Sequence, residues 1–188
     1  MDIMLESMLS NIINLIPWWF YAVALLSIVV PILFGNPNHW PRVLGSYLAL
    51  KKFIAIGEDQ GPAEQFRYLR ARDPFLFEEM ILTALKKAGY RIRRNRRYTG
   101  DGGVDGQCWI DKEHYLIQAK RYSHHINAVD VKEFYQLCKS KGKKGLFIHT
   151  GKTGKASWRQ TKDVVFIVSG DRMLSLLGGQ WNGTFGLE

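Results

Sequence analysis

Three polar residues that could act together on a phosphate ester fall in two neighbouring strand-like runs. Asp105 lies in the glycine-rich segment GDGGVDG, and Gln118 and Lys120 close the next apolar run. If these runs form a hairpin that turns at Asp111-Lys112, Asp105 lies opposite Gln118, and side-chain alternation puts all three polar groups on one face. A carboxylate, an amide oxygen and an ammonium suit a divalent metal ion and a charged transition state.

The opposite face of this hairpin is apolar, which supports the register. A shift of one residue would exchange the two faces and separate the polar groups. The alternative interpretation is a salt-bridged polar patch of Asp105 and Lys120 beside a glycine-rich turn. The residues expected on the apolar face are Val104, Cys108, Ile110, Tyr115, Ile117 and Ala119.

A fourth candidate, Glu78, lies on a helix that precedes the hairpin. Asp73-Pro74 suits the start of this helix, and Gly89 suits its end. Glu78 shares its stripe with apolar residues, where a carboxylate is costly unless a metal ion or the lysine of the set pairs with it. Its neighbour Glu79 shares a stripe with lysines and is expected in solvent.

The other elements predict an α/β fold with a mixed central sheet flanked by helices, in the order α-β-β-β-α-β. A helix separates the third strand from the fourth, as a crossover between parallel strands requires. Further helices are expected over 129–140 and 171–177. The predicted strands are 90–98, 104–110, 114–121, 145–150 and 164–168.

These motifs resemble a known family. F-E on a helix, then G-D-G-G-V-D, then Q-x-K at a strand end is similar to the Mrr-type catalytic domain of the restriction-endonuclease-like nucleases, over roughly 73–178. The resemblance implies that fold, Mg²⁺ or Mn²⁺ as cofactor, and cleavage of DNA phosphodiesters. It implies Asp105, Gln118 and Lys120 as the active-site set, with Glu78 as a supporting carboxylate and the metal ion held by Asp105, Gln118 and Glu78.

Gln118 is where this chain departs from the wider superfamily. Most of those nucleases have Asp or Glu at that position, although Mrr-like members often have Gln. The exchange removes one negative charge from the metal site. It therefore keeps open a second interpretation, a catalytically inactive, membrane-bound DNA-binding module with the same fold.

Charge points to a polyanionic partner. The net charge is +9, and residues 71–188 account for it with 21 Lys/Arg against 12 Asp/Glu. Its basic runs, RIRRNRRY at 91–98 and KSKGKK at 139–144, suit salt-sensitive contacts with DNA phosphates. Charge on a strand can also protect a sheet edge. A homodimer would supply the two active sites that cutting both strands usually needs. The expected DNA-binding residues are Arg91, Arg93, Arg94, Arg96, Arg97, Lys152 and Lys155.

The front of the chain predicts a membrane anchor. Residues 12–34 are almost wholly apolar and, as a helix, would span roughly 34 Å against a hydrocarbon core of about 30 Å. The acidic leader argues against a cleaved signal peptide. Basic residues follow the segment and none precede it, so we expect a single-pass protein of the cell inner membrane with a cytoplasmic C-terminal domain. A basic domain that contacts anionic lipid is the third interpretation.

The expected domain organisation has three parts. Residues 1–39 form the anchor, residues 40–72 form a juxtamembrane helix and linker with the linker at 57–65, and residues 73–188 form the nuclease domain. The helix over residues 40–56 could lie along the membrane surface or pack on the domain. Two cysteines without zinc-ligand spacing argue against a structural zinc site and against a disulfide framework.

Overall fold

The computed structural model describes residues 17–34, 40–95, 103–159, 161 and 163–181. The chain divides into two compact units, Met1–Trp40 and Pro41–Glu188. The first unit contains helix α1 (Trp18–Phe34). From Trp40 onward the chain forms, in order, α2 (Trp40–Gln60), α3 (Pro62–Arg70), α4 (Pro74–Lys87), β1 (Arg91–Arg94), β2 (Gly106–Ile110), β3 (Glu113–Lys120), α5 (Ala128–Ser140), β4 (Lys144–His149), α6 (Lys155–Trp158), β5 (Val165–Val168) and α7 (Gly170–Gly178).

The transmembrane anchor predicted over residues 12–34 is not supported by the structure. Helix α1 has 17 residues. Across the described parts of the chain, no helix combines the length and the apolarity that crossing a membrane requires. Residues 12–16 of the predicted span lie outside the described residues.

The five strands form one mixed sheet in the order β1-β2-β3-β4-β5. β1, β2 and β3 pair antiparallel, whereas β3, β4 and β5 pair parallel. Helix α5 makes the crossover from β3 to β4, as the sequence predicted. The mixed α/β architecture is therefore confirmed.

The β2–β3 hairpin has the predicted register. Ile110 pairs with Glu113 and Gly106 pairs with Ile117. The turn residues Asp111 and Lys112 have φ values of 50° and 70°, as two-residue hairpin turns of the type I′ class require. A local turn thus sets which side chains of the two strands face each other.

The ladder changes at the start of β2, and two expectations fail there. The Asp105 amide donates to the Ile117 carbonyl at 2.8 Å, although Gly106 is the Cα partner of Ile117. Two residues of one strand therefore oppose one residue of the other, which is the arrangement of a β-bulge. Asp105 is therefore not directly opposite Gln118. Val104 packs in the apolar cluster that contains Leu116, and not on the predicted face with Cys108 and Ile117.

Helices cover the two faces of the sheet with separate apolar clusters. On one face, α4 and α7 pack with side chains such as Cys108 and Ile117. On the other face, α5 contributes Phe134, which packs against Phe147 of β4. Helices thus pack on both faces of the sheet near the C-terminal ends of β3 and β4. This end of the sheet is the edge at which the candidate site lies.

The helix predicted over residues 40–56 packs on the sheet domain, one of its two expected placements, whereas the linker predicted over residues 57–65 is helical. Helices α2 and α3 replace the linker expected at 57–65, with only Gly61 between them. Leu50 and Phe53 of α2 and Leu69 of α3 are buried in the cluster that contains α4. Burial of these side chains stabilises the two helices on the sheet domain, a tertiary effect that composition did not reveal.

Candidate active site

Asp105 is anchored beside the end of β3. Its carboxylate Oδ2 accepts a hydrogen bond of 2.6 Å from the backbone N–H of Ala119. Ala119 lies between Gln118 and Lys120, so the carboxylate is bound to the backbone of β3 between the two other predicted residues. The bulge at Asp105 and Gly106 provides this approach, and bulges often redirect a side chain next to an active site.

Gln118 presents an oxygen that lacks a protein partner. Its Nε2 donates to the Gly103 carbonyl at 2.9 Å, which fixes the orientation of the amide. Its Oε1 is buried and has no hydrogen-bond partner. A buried carbonyl oxygen without a donor is costly in free energy, and a cation would satisfy it.

The donor chemistry of this edge fits a hard divalent cation. The Asp105 carboxylate and the Gln118 amide oxygen are ligand types that Mg²⁺ accepts in proteins. Within the described residues, His, Cys, Asp and Glu do not gather in groups of three or more that could hold a metal ion.

One of the two neighbouring helix carboxylates is placed differently from the prediction. Glu78 is half-buried on α4, which packs against β2 and β3. Glu79, expected in solvent, is only 1 % exposed and pairs with Arg94 through Nε and Oε2 at 2.7 Å. Thr83 accepts a second hydrogen bond from Arg94 at 3.1 Å. The expectation for Glu79 was wrong because its counter-ion comes from β1, which the helical pattern cannot show.

Lys120 has an acidic partner that the sequence did not indicate. Its Nζ lies 3.3 Å from Oδ2 of Asp130, in the first turn of α5. The Tyr122 hydroxyl donates to the same oxygen. Burial and this hydrogen bond raise the pKa of Tyr122, so the phenol stays protonated as a donor. An acidic residue in a first helical turn is common, so its sequence position alone carries no signal.

His149 is a second residue at this edge that was missed. It is the β4 partner of Lys120 and is fully buried. Burial lowers its pKa to about 4, so the ring is neutral at physiological pH. Its Nδ1 accepts from the Gly151 N–H at 3.1 Å, and Nε2 therefore carries the proton and faces the Thr153 hydroxyl at 3.0 Å. A histidine closing an apolar parallel strand was the available signal.

Two arginines attach α3 to the same edge. Arg70 donates to the carbonyl oxygens of Tyr122 at 3.1 Å and Thr150 at 2.8 Å. In return, Arg121 donates to the Arg70 carbonyl at 2.9 Å and to the Arg72 carbonyl. The segments that follow β3 and β4 are thus fixed by charged hydrogen bonds to the end of α3.

The predicted DNA-binding residues fall into three groups. Arg91 and Arg93 are exposed on β1, and Lys152 and Lys155 are exposed near the end of β4. Arg94, by contrast, points toward α4 and is held by its ion pair with Glu79. Arg96 and Arg97 lie outside the described residues.

Comparison with known proteins gives a match over the sheet domain. The family model for the Mrr-type catalytic domain, described as "Restriction endonuclease", matches residues 69–177. The Type IV methyl-directed restriction enzyme EcoKMrr of Escherichia coli (strain K12) is 34% identical over 114 residues, which cover 55% of this chain and 38% of that protein. The chain thus spans well under half of that relative's length. A solved structure of SfsA from Pyrococcus furiosus with Ca²⁺ matches with a TM-score of 0.35 and 16% identity, over 50% of this chain and 54% of that chain.

Proposed function

The chain belongs to the Mrr-type restriction endonuclease family, and from this premise we propose that it is a metal-dependent DNA endonuclease. The observation that carries the proposal is the buried Oε1 of Gln118, which has no hydrogen-bond partner. It lies on β3 next to the residue whose N–H binds the Asp105 carboxylate. Two oxygen donors of the kind that Mg²⁺ or Mn²⁺ binds are thereby tied to one strand end.

Each side chain has a role in this proposal. Asp105 and Gln118 would hold the metal ion, with Glu78 of α4 as a supporting carboxylate. When bound, the ion would lower the pKa of a water molecule and offset charge on the phosphate. Lys120 would orient the attacking water or stabilise the charge that develops on the phosphate oxygens. Asp130 holds the Lys120 ammonium at the strand end.

The test is cleavage of supercoiled plasmid by the full chain with Mg²⁺ or Mn²⁺. EDTA, Asp105→Ala and Lys120→Ala should each lower the cleavage rate by about a hundredfold or more. The exposed α5 residues Glu133 and Lys132 provide matched controls, and their alanine variants should cut at the wild-type rate. Methylated and unmethylated plasmids should both be used, because the name of the matched relative describes it as methyl-directed.

A second function, a DNA-binding module without nuclease activity, is favoured by one observation. Gln118 supplies a neutral amide where a carboxylate would bind a cation more strongly. This function predicts salt-sensitive DNA binding by the wild type and by both alanine variants, with no cleavage in either metal. Wild-type cleavage that is lost in EDTA would exclude it.

Location at the cell inner membrane, with the domain in the cytoplasm, is also a proposal. It rests on the apolar composition of residues 12–34 and on the basic residues that follow them. Fractionation should recover the full chain with membranes after a carbonate wash, and recovery in the supernatant would contradict it. The homodimer also stays a prediction, which light scattering on the purified chain would test.

A further inference from the structure

Three neighbouring strands build an ordered stack on the sheet face away from α4. The rings of Trp109 and His114 are stacked, with centroids 4.4 Å apart and planes inclined by 22°. The Arg91 guanidinium carbon lies 4.7 Å from the Trp109 ring centroid. Trp109 pairs with Arg91 on β1 and with His114 on β3, so its indole lies between the other two side chains. We call these three residues the Arg-Trp-His stack.

Positive charge surrounds this stack. Burial first, and then the charges of Lys143 and Arg93, lower the pKa of His114. Lys143 and Lys139 also line a cleft of about 420 Å³ together with His114. The carboxylates of this cleft are Glu113, which pairs with Lys144, and Asp163. Together, the stack and the cations Arg93, Lys139 and Lys143 are called the basic stack surface.

The surface lies on the same face of β3 as the proposed catalytic residues. His114, Gln118 and Lys120 are separated by even numbers of residues and so point to one side of the strand. At about 3.3 Å per residue, His114 lies about 13 Å from Gln118. Leu116, which lies between them on this face, is buried under α5, so the basic stack surface and the proposed active site lie at opposite ends of β3.

We propose that the basic stack surface binds the phosphate backbone of duplex DNA, at a site separate from the proposed catalytic residues. That cleavage takes place at the other end of β3 rests on the proposed nuclease function, whereas the binding itself does not. Trp109 is enclosed between Arg91 and His114, so it orders the arginine and is not a platform for a base. Ordering Arg91 before DNA arrives reduces the entropy lost on binding.

Protection of a sheet edge does not account for the whole surface. β1 is an edge strand, and exposed Arg91 and Arg93 would by themselves discourage edge-to-edge pairing. Lys139 lies at the end of α5 and Lys143 just before β4, away from that edge. Cations from three separate parts of the chain surround one stack. This arrangement suits binding of an extended polyanion better than protection of a sheet edge.

The test measures binding of the full chain to a short fluorescein-labelled duplex in EDTA, so that no cleavage occurs. The triple variant Arg91→Ala/Arg93→Ala/Lys143→Ala should bind at least about tenfold more weakly, and the slope of log affinity against log salt should fall by about 3. Trp109→Leu keeps the charges and should weaken binding less. Lys87→Ala, at the exposed end of α4 on the other sheet face, is the control and should bind like the wild type.

Two results would overturn this inference. One is wild-type affinity and salt slope in a triple variant whose circular dichroism is normal. The other is unchanged DNA affinity with weaker binding to vesicles of phosphatidylglycerol, which would assign the surface to lipid. Failure of the nuclease function would instead be seen as absence of plasmid cleavage by the wild type, a separate measurement in the presence of metal.

Discussion

The Nζ of Lys120 lies 3.3 Å from Oδ2 of Asp130, and that oxygen also accepts a hydrogen bond from the Tyr122 hydroxyl. The pair joins the end of β3 to the first turn of α5. The lysine of the proposed active site is therefore positioned by α5. None of the site residues predicted from the sequence lies on that helix.

Asp130→Asn should lower the turnover rate of DNA cleavage about ten- to a hundredfold, because a neutral amide holds the Lys120 ammonium less firmly and misplacement of a catalytic group is costly. The KM for DNA and the melting temperature should change little. Asp130→Glu should restore part of the rate. Steady-state kinetics on plasmid would measure this, with Glu133→Gln as the control. A fall in the melting temperature that accompanies the fall in the turnover rate would show a purely structural role for Asp130.

Gln118→Glu should lower the Mg²⁺ concentration that gives half-maximal cleavage, by about tenfold, because it replaces a neutral oxygen donor by a carboxylate. A Mg²⁺ titration of the cleavage rate measures the effect. Gln107→Glu makes the same chemical change two residues from Asp105, where Gln107 hydrogen-bonds His114 at 2.7 Å, and should leave the Mg²⁺ dependence unaltered. An unchanged titration for Gln118→Glu would remove Gln118 from the metal site.

Arg94→Leu should destabilise the fold by about 3–5 kcal/mol, since it leaves the Glu79 carboxylate buried without its cation. Glu79→Leu/Arg94→Leu should recover most of that loss, as apolar replacements of a buried pair often do. Urea unfolding of the single and double variants gives the coupling free energy. The neighbouring exposed Arg93→Leu serves as the control, and an equal effect there would argue against the buried pair.

Gly145→Ala should destabilise the domain by about 1–3 kcal/mol through overpacking. A Cβ at Gly145 would lie 2.6 Å from the Cys138 Sγ and 2.7 Å from the Phe134 Cε1, both on α5. The added methyl group would push this helix away from β4. Gly178→Ala, where a Cβ meets nothing within 4 Å, should be tolerated. Thermal unfolding compares them, and equal melting temperatures would show that α5 can shift freely.

Acid should destabilise the fold through His149. Its pKa is about 4 in the folded state against an ordinary 6.5, so between these values the unfolded chain binds a proton that the folded chain does not. This contribution is complete above pH 6.5 and is lost as pH falls toward 4, by about 3 kcal/mol. Urea unfolding against pH should be steeper for the wild type than for His149→Asn, whose amide oxygen can accept the Gly151 N–H. Parallel curves would contradict the assignment.

Local signals in the sequence determined several elements. The α4 boundaries follow from Asp73, whose carboxylate accepts the Leu76 N–H at 3.1 Å, and from Gly89, which has a positive φ of 92°. The hairpin register follows from the turn at Asp111-Lys112. These features depend on residues within one turn of each other, so their cause lies within a short stretch of sequence.

Only the tertiary structure decided how distant residues meet. The bulge that moves Asp105 to the Ala119 N–H, the pairing of Glu79 with Arg94, and the Asp130 carboxylate beside Lys120 each join separate elements. Such contacts depend on how helices and strands pack, and periodicity within one element carries no information about the charge that its neighbour will supply. The sequence by itself determined the residue types available for chemistry, and packing decided which of them share an edge of the sheet.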